Sequence, residues 1–401
     1  MAKDGFRFFP SLPGESGQAP GNKARAAQDG GREKKIVASL FREAGIEVNG
    51  DRPSDIRVNH PGFYRRVLTK GSLGLGESYM EGWWDAHALD EFANLLLRAS
   101  LQKKVAKLKG LSRALKAAVF NYGRKSRAFA VGERHYDRDD LLFEKMLDKR
   151  MVYSCAYWKD ARTLDEAQAA KLDLVCKKLS LKPGMTVYDI GCGWGSFCKY
   201  AAEKYGVRAV GVTVSQRQVD RGREMCSGLP VEIRLQDYRE IEERECADRV
   251  VSIGMFEHVG HKNYASFMKT AHRLLKRDGL FLLQTIGGNE SSLTIDPWMG
   301  KYIFPNSMVP SIKQIGAAIE GLFVMEDWQC LSADYDRTLM SWFGNFHRSW
   351  DELRAHFSEI FYRMWKYYLL VSAGAFRSRY NRLWQIVLSR KEFPGKYAPV
   401  R

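Results

Sequence analysis

The chain has 401 residues, of which 45% are hydrophobic and 27% charged, a balance that excludes intrinsic disorder as the main state and suits roughly two to three domains. Its 63 lysines and arginines against 47 aspartates and glutamates give a net charge of +16, which suits a polyanionic partner such as a nucleic acid or an anionic membrane face. No run of about 18 uncharged apolar residues occurs, residues 1–20 hold no apolar leader core, and the seven cysteines lack C-x-x-C spacing, so a spanning helix, a secretory signal, a disulfide framework and a metal site are all unexpected.

A cytoplasmic, reducing location is the expectation. Residues 1–30, rich in Gly, Pro, Ala and Gln, read as a flexible arm without chemistry. An amphipathic helix is predicted over 34–44, ending at Gly45, then two short strands over 46–58 about an Asn49-Gly50 turn. The stretch 63–68, the glycine-punctuated run 71–84 and a helix over 89–101 follow, the helix with Phe92, Leu95 and Leu96 on one face. Together with 103–127 they make a small N-terminal mixed α+β domain over 31–127, with no catalytic constellation in view. Residues 103–127 run from Lys103 to Arg127 without an acid, while Val105, Leu108, Leu111, Leu115 and Val119 recur at helical intervals. Such a basic amphipathic helix either attaches to an anionic lipid surface or packs its stripe on its own domain as a connector, and Gly110 weakens it.

The second domain is expected over 128–401. Strands are predicted at 186–190, 208–214, 231–235, 249–253 and 280–285, alternating with helices at 196–205, 216–226 and 264–275. An irregular insertion over 295–305 precedes a helix from Ser311, a strand at 323–328, two aromatic-rich helical stretches and a strand at 383–388. This alternation specifies an α/β fold with a doubly wound, largely parallel, Rossmann-like sheet.

The segment Asp189-Ile190-Gly191-Cys192-Gly193-Trp194-Gly195-Ser196 follows a strand and opens a helix, so a ligand is able to lie against bare backbone at the helix N-terminus. A dinucleotide fingerprint spaces its last two glycines G-x-x-G and wants a carboxylate near the end of the second strand. Here the spacing is G-x-G, and the second strand ends Val212-Thr213-Val214-Ser215-Gln216. The loop resembles the S-adenosylmethionine site of class I methyltransferases, with Asp237 after the third strand set to meet the adenine. A glycine turn kept for packing is the plainer alternative.

Around this loop, in order, stand Tyr153-Ser154-Cys155-Ala156-Tyr157-Trp158, Gly254-Met255-Phe256-Glu257-His258-Val259-Gly260 and Ala333-Asp334-Tyr335-Asp336. With these motifs, the run 71–84 and Lys301-Tyr302-Ile303-Phe304-Pro305, the chain from about Ile36 onward resembles the cyclopropane-fatty-acyl-phospholipid synthase family. The resemblance implies a class I methyltransferase fold and transfer of a methylene from S-adenosylmethionine across a cis double bond of an unsaturated phospholipid acyl chain. It implies cofactor contacts at Tyr153, Ser154, Gly191, Gly193, Thr213, Gln218, Gln236 and Asp237. It further implies a homodimer associated peripherally with the inner membrane face, and no nucleic-acid partner.

An alkene is a poor nucleophile, so the protein must align it with the activated sulfonium methyl and exclude water. The resulting carbocation then needs a base. In the family that base is bicarbonate, and the resemblance implies that Cys155, Glu257, Tyr335 and the backbone N–H of Ile286 hold it. Taken singly, Cys155 reads equally as a buried filler, and Glu257 and His258 as a surface loop. Gln284 stands where the family has histidine ahead of Thr-Ile-Gly; it donates a hydrogen bond but takes no proton near neutral pH, which leaves anion holding and removes a relay. His135 reads either as the entry to the catalytic domain or as a structural histidine. Two other outcomes stay open at this level, a methyl-branched acyl product and a soluble amine acceptor, and the Cys155, Glu257, Tyr335 set weighs against the amine.

Overall fold

The computed structural model describes residues 22–100 and 140–401. The basic segment 103–127 and His135 lie outside the described residues. Helix α1 (Asn22–Glu43) begins inside the stretch expected to be an arm and buries Val37 and Phe41. The expected hairpin over 46–58 does not form. Buried Asp55 accepts the backbone N–H groups of Glu47 (2.8 Å) and Arg52 (3.0 Å), which folds the segment into a loop. The short strand β1 (Arg57–Val58) then pairs antiparallel with β2 (Trp84–Asp85) across the intervening helices α2 (Phe63–Lys70) and α3 (Ser72–Met80). Glycines read as punctuation in 71–84 are helical because they allow close approach: a Cβ on Gly74 would meet Arg66 O, and one on Gly76 would meet the ring of Trp298. Helix α4 (Leu89–Arg98) completes this part.

After α5 (Asp140–Met146) comes α6 (Leu164–Lys178), started by a capping box between Thr163 and Glu166. The sheet elements follow as β3 (Thr186–Ile190), α7 (Ser196–Tyr205), β4 (Arg208–Thr213), α8 (Gln216–Met225), β5 (Val231–Leu235), β6 (Ala247–Ile253), α9 (Tyr264–Leu274) and β7 (Leu275–Gly288). The expected insertion contains α10 (Pro297–Tyr302), and the chain closes with α11 (Ile312–Ile319), β8 (Val324–Cys330), α12 (Ser332–Arg348), α13 (Trp350–Leu353), α14 (Glu359–Arg377) and β9 (Asn381–Ser389). The seven-stranded sheet has the order β5-β4-β3-β6-β7-β9-β8, parallel except where β9 pairs with β7 and β8. Strand β7 extends well past the predicted 280–285 because β9 covers its second edge as far as the pair Gly288 and Asn381.

One core lies under α9 and α11 and another under α6 and α7, on the two faces of the sheet. The third joins Phe63, Trp84 and Phe92 of the N-terminal part to Trp365, Tyr367 and Leu369 of α14. It also contains Cys155, Trp194 and Leu383, so it caps the end of the sheet where β3 and β7 finish. Among the described residues no helix is long and apolar enough to cross a membrane.

Candidate active site

Strand order reverses between β3 and β6, and the crevice outside the carboxyl ends of parallel strands at such a point is where ligands bind in open α/β sheets. A cavity lies there. It is lined by Tyr153, Ser154, Gly191, Gly193, Thr213, Gln218, Gln236 and Asp237, all the residues expected to meet the cofactor. Gly191 and Gly193 hold φ of +88° and +56°, left-handed values open to glycine, and nothing lies within 4 Å of a Cβ built on Gly193. The loop therefore offers bare backbone to a ligand. Thr213 donates to Gln218 Oε1 at 2.6 Å, which fixes the floor beyond β4. Asp237 is neutralised by Arg239, whose Nε and Nη2 lie 2.8 and 2.6 Å from its oxygens.

Among the described residues, Asp189 Oδ1 and Gln236 Oε1 are buried acceptors of this cavity with no hydrogen-bond partner. Burial pushes the Asp189 carboxyl up to about 7, against the thiol of Cys198 and the amine of Lys171, which lower it. A ligand bearing a cationic donor at one end and a polar purine-like edge at the other satisfies both. S-adenosylmethionine fits that description.

Tyr153 and Ser154 belong to an irregular strap that other elements hold in place. Gln168 on α6 donates to Val152 O (3.3 Å) and Ser154 O (2.8 Å). On the far side, Thr338 Oγ1 and Asp334 Oδ1 on α12 accept the N–H groups of Ala156 (3.1 Å) and Trp158 (2.7 Å). The Tyr153 hydroxyl lies 2.9 Å from that of Tyr368, and its ring packs 5.2 Å from Trp342. Cys155 does not line the cavity and is buried in the third core, where burial holds its thiol protonated, well above its ordinary range.

The residues expected to carry chemistry do not line the cofactor cavity; they form a second layer beside it. Cys155 Sγ lies 3.1 Å from Ala156 O and 3.8 Å from Leu331 O, and Leu331 O also accepts the N–H of Tyr335 (3.3 Å). The N–H of Leu331 bonds Leu383 O at 2.9 Å, Leu383 faces Ile286 in the β7–β9 register, and the Ile286 N–H donates to Glu257 Oε1 at 2.6 Å. Cys155, Tyr335, Ile286 and Glu257 are thus joined through one short path. The Ile286 N–H, expected to face an anion, is already taken by Glu257. Gln284 is also engaged: it is buried, and its Oε1 accepts from Gln385 Nε2 at 2.9 Å across the same strand pair.

Among the described residues Glu257 Oε2 is buried with no hydrogen-bond partner, and burial pushes this carboxyl up to about 7 although the Ile286 N–H and the Thr285 side chain lower it. His258 beside it is pushed down to about 4 by burial and is neutral. Lys171, Trp194, Met255 and Arg239 also line the cavity, and the sequence reading assigned none of them a role. Trp194 and Met255 stood inside quoted motifs; Lys171 had no signal beyond its place on a helix.

Sheet order, glycine loop and cavity define a class I S-adenosylmethionine-dependent methyltransferase. The model of the mycolic acid cyclopropane synthetase family matches residues 123–386. The chain is 52% identical over 357 residues, 89% of its length and 93% of the relative's, to cyclopropane-fatty-acyl-phospholipid synthase of Escherichia coli K12. A solved mycolic acid cyclopropane synthase complexed with S-adenosylhomocysteine is 36% identical with a TM-score of 0.61, covering 65% of this chain and 98% of that one. Coclaurine N-methyltransferase, 22% identical with a TM-score of 0.65 over 79% of this chain and 99% of its own, shares the fold alone. The chain belongs to the cyclopropane synthase family.

Proposed function

We propose that this enzyme transfers a methylene from S-adenosylmethionine to the cis double bond of an unsaturated acyl chain in a membrane phospholipid, leaving a cyclopropane. The name of the 52% identical relative supports the substrate class. The observation that carries the chemistry is Glu257, a buried carboxyl with one oxygen bonded to Ile286 N–H and the other without a partner, set beside the cofactor cavity. S-adenosylmethionine held by the cavity residues would supply an activated methyl, and bicarbonate held beside Glu257, Tyr335 and Cys155 would supply a base.

In this reading Glu257 holds its proton near neutral pH and donates it in a hydrogen bond to an anion, so that a carboxyl is able to stand next to bicarbonate. The Tyr335 hydroxyl adds a second donor, and the protonated Cys155 thiol a weak third. The rings of Tyr153, Trp342, Tyr335 and Phe376 form a wall that keeps water from the cation. Gln284 acts on this layer only by hydrogen bond. The N-terminal part and the basic segment 103–127 hold the enzyme at the inner, anionic membrane face, and the working unit is a homodimer. Expression in cells with unsaturated phospholipids, followed by mass analysis, is expected to yield acyl chains one CH2 heavier that have lost the olefin. Unchanged lipids beside folded enzyme, or methyl-branched chains, overturn the proposal.

A further inference from the structure

Lys171, on α6, is 1% exposed and lines the cofactor cavity, yet among the described residues no carboxylate is hydrogen-bonded to it. Its Nζ lies 3.0 Å from Ser154 Oγ. An ammonium has three donors and no acceptor, so in this contact the serine oxygen must accept. That leaves the Ser154 proton to point elsewhere. Gln168, one turn earlier on the same helix, holds the Ser154 backbone in place through its carbonyl. Asp189, with an oxygen lacking a partner, lines the same cavity from β3. A buried cation and a buried carboxylate in one cavity complement a zwitterionic amino-acid group.

We propose that Lys171 is a positioning residue for the cosubstrate: its ammonium donates to Ser154 Oγ and so directs the serine proton to the carboxylate of the methionine moiety. The inference rests on the reading that Ser154 touches the cosubstrate. An ammonium behind the serine also makes the hydroxyl a stronger donor than serine alone, because the hydrogen bond is charge-assisted. A neutral amine reverses the logic, since it accepts from Ser154 and withdraws the proton from the cavity. Burial brings the Lys171 amine down to about 8, against Asp148 from the preceding loop, Cys155 from the strap, Asp189 from β3 and Cys176 from α6, which all raise it. The reversal therefore falls within an accessible pH range.

The test is equilibrium binding of S-adenosylhomocysteine and of 5′-methylthioadenosine, which lacks the methionine carboxylate and amine, to wild type, Lys171→Met, Ser154→Ala and the double variant. Each single substitution is expected to weaken S-adenosylhomocysteine about tenfold, as for loss of a charge-assisted hydrogen bond, and to leave methylthioadenosine within about twofold. The double variant is expected to bind no more weakly than the weaker single. In wild type, affinity for S-adenosylhomocysteine is expected to fall between about pH 7 and 9 by more than it does in Ser154→Ala; this measurement decides the matter if Lys171→Met does not fold. Lys171→Met affinity equal to wild type, equal weakening of both ligands, additive losses in the double variant, or matching pH profiles in wild type and Ser154→Ala overturn the proposal. If Ser154→Ala alone changes nothing, the cosubstrate contact itself is wrong; if it weakens binding and Lys171→Met does not, only the role of Lys171 is.

Discussion

Glu257 accepts the backbone N–H of Ile286 at 2.6 Å, tying the segment after β6 to β7 and fixing one carboxyl oxygen while the other stays buried without a partner. Glu257→Gln keeps an acceptor for that N–H and puts an amide N–H, a weaker donor that cannot give up its proton, in place of the ionisable carboxyl O–H. Turnover is expected to fall about a hundredfold or more, with affinity for S-adenosylhomocysteine unchanged. The carboxyl rises from 4.5 to about 7 on folding, so its contribution to stability is full below pH 4.5 and is lost as pH rises through 7. The variant is therefore expected to be more stable than wild type at pH 8, by a few kcal/mol at most, on the order of 3. Denaturant unfolding at pH 5 and pH 8 checks the sign, and near-normal turnover removes Glu257 from the chemistry.

Gln284 and Gln385 share a buried amide–amide hydrogen bond of 2.9 Å. Gln284→Ala leaves the Gln385 amide unmatched, and a loss of about 1–3 kcal/mol in stability is expected, together with a weaker response in a bicarbonate titration. Gln284→His is expected to keep the rate within a few-fold. A gain of about tenfold with a new ionisation near pH 6–7 would instead mean that the histidine relays a proton.

Asp327 on β8 is the buried anion between Lys178 Nζ (3.2 Å) and the guanidinium of Arg401 (2.6 and 2.7 Å). Asp327→Ala strands Lys178, whose side chain has no exposure, and about 3–5 kcal/mol is expected to be lost. Arg401→Ala removes a partner whose side chain is 46% exposed and is expected to cost about 1 kcal/mol or less. Asp327→Ala with Lys178→Met is expected to recover most of the loss. Its partners hold the Asp327 carboxyl below its ordinary value of 3.8, so this stabilisation is present above pH 3.8 and disappears as the pH falls below it. Thermal unfolding across acid pH measures it.

Arg377 on α14 binds both oxygens of Asp336 (2.9 and 3.0 Å) and reaches Asp90 on α4 at 2.6 Å. Asp336 adjoins Tyr335, whose ring lies 4.5 Å from that of Phe376. Lysine cannot make the forked contact. Arg377→Lys is expected to lower turnover several-fold while S-adenosylhomocysteine affinity holds; an unchanged rate shows that this tie does not set Tyr335.

Residues 103–127 carry basic groups and no acid. Reversing charge at Lys104, Lys107 and Lys116 is expected to weaken sedimentation with anionic vesicles, each cation contributing about 1 kcal/mol near the surface, most visibly at low salt. Unaffected binding makes the segment a connector.

Much of the sheet was legible because hydrophobic periodicity and glycine placement act over a few residues: strand ends and helix starts around Asp189 to Ser196 fall where those signals predict. The helix within the run 71–84 was not legible for the opposite reason, since Gly74 and Gly76 are explained by Arg66 O and the ring of Trp298, and the latter lies far along the chain. The loop over 46–58 depended on Asp55 turning its carboxylate onto two N–H groups, a choice that an Asn-Gly pair does not reveal. The strap bearing Tyr153, Ser154 and Cys155 has no periodicity at all; it is shaped by α6 and α12.

By itself the sequence determined the alternation of strands and helices, the backbone cradle for the cosubstrate and the family, since these are written in local spacing and in motifs. Tertiary structure decided which groups are charged and which are taken. Glu257, Asp189 and Lys171 shift because packing from distant segments strips them of water, and the Ile286 N–H and the Gln284 amide are engaged because β6, β7 and β9 bring partners to them. Desolvation and pairing depend on what surrounds a side chain in three dimensions, which no local window of residues contains.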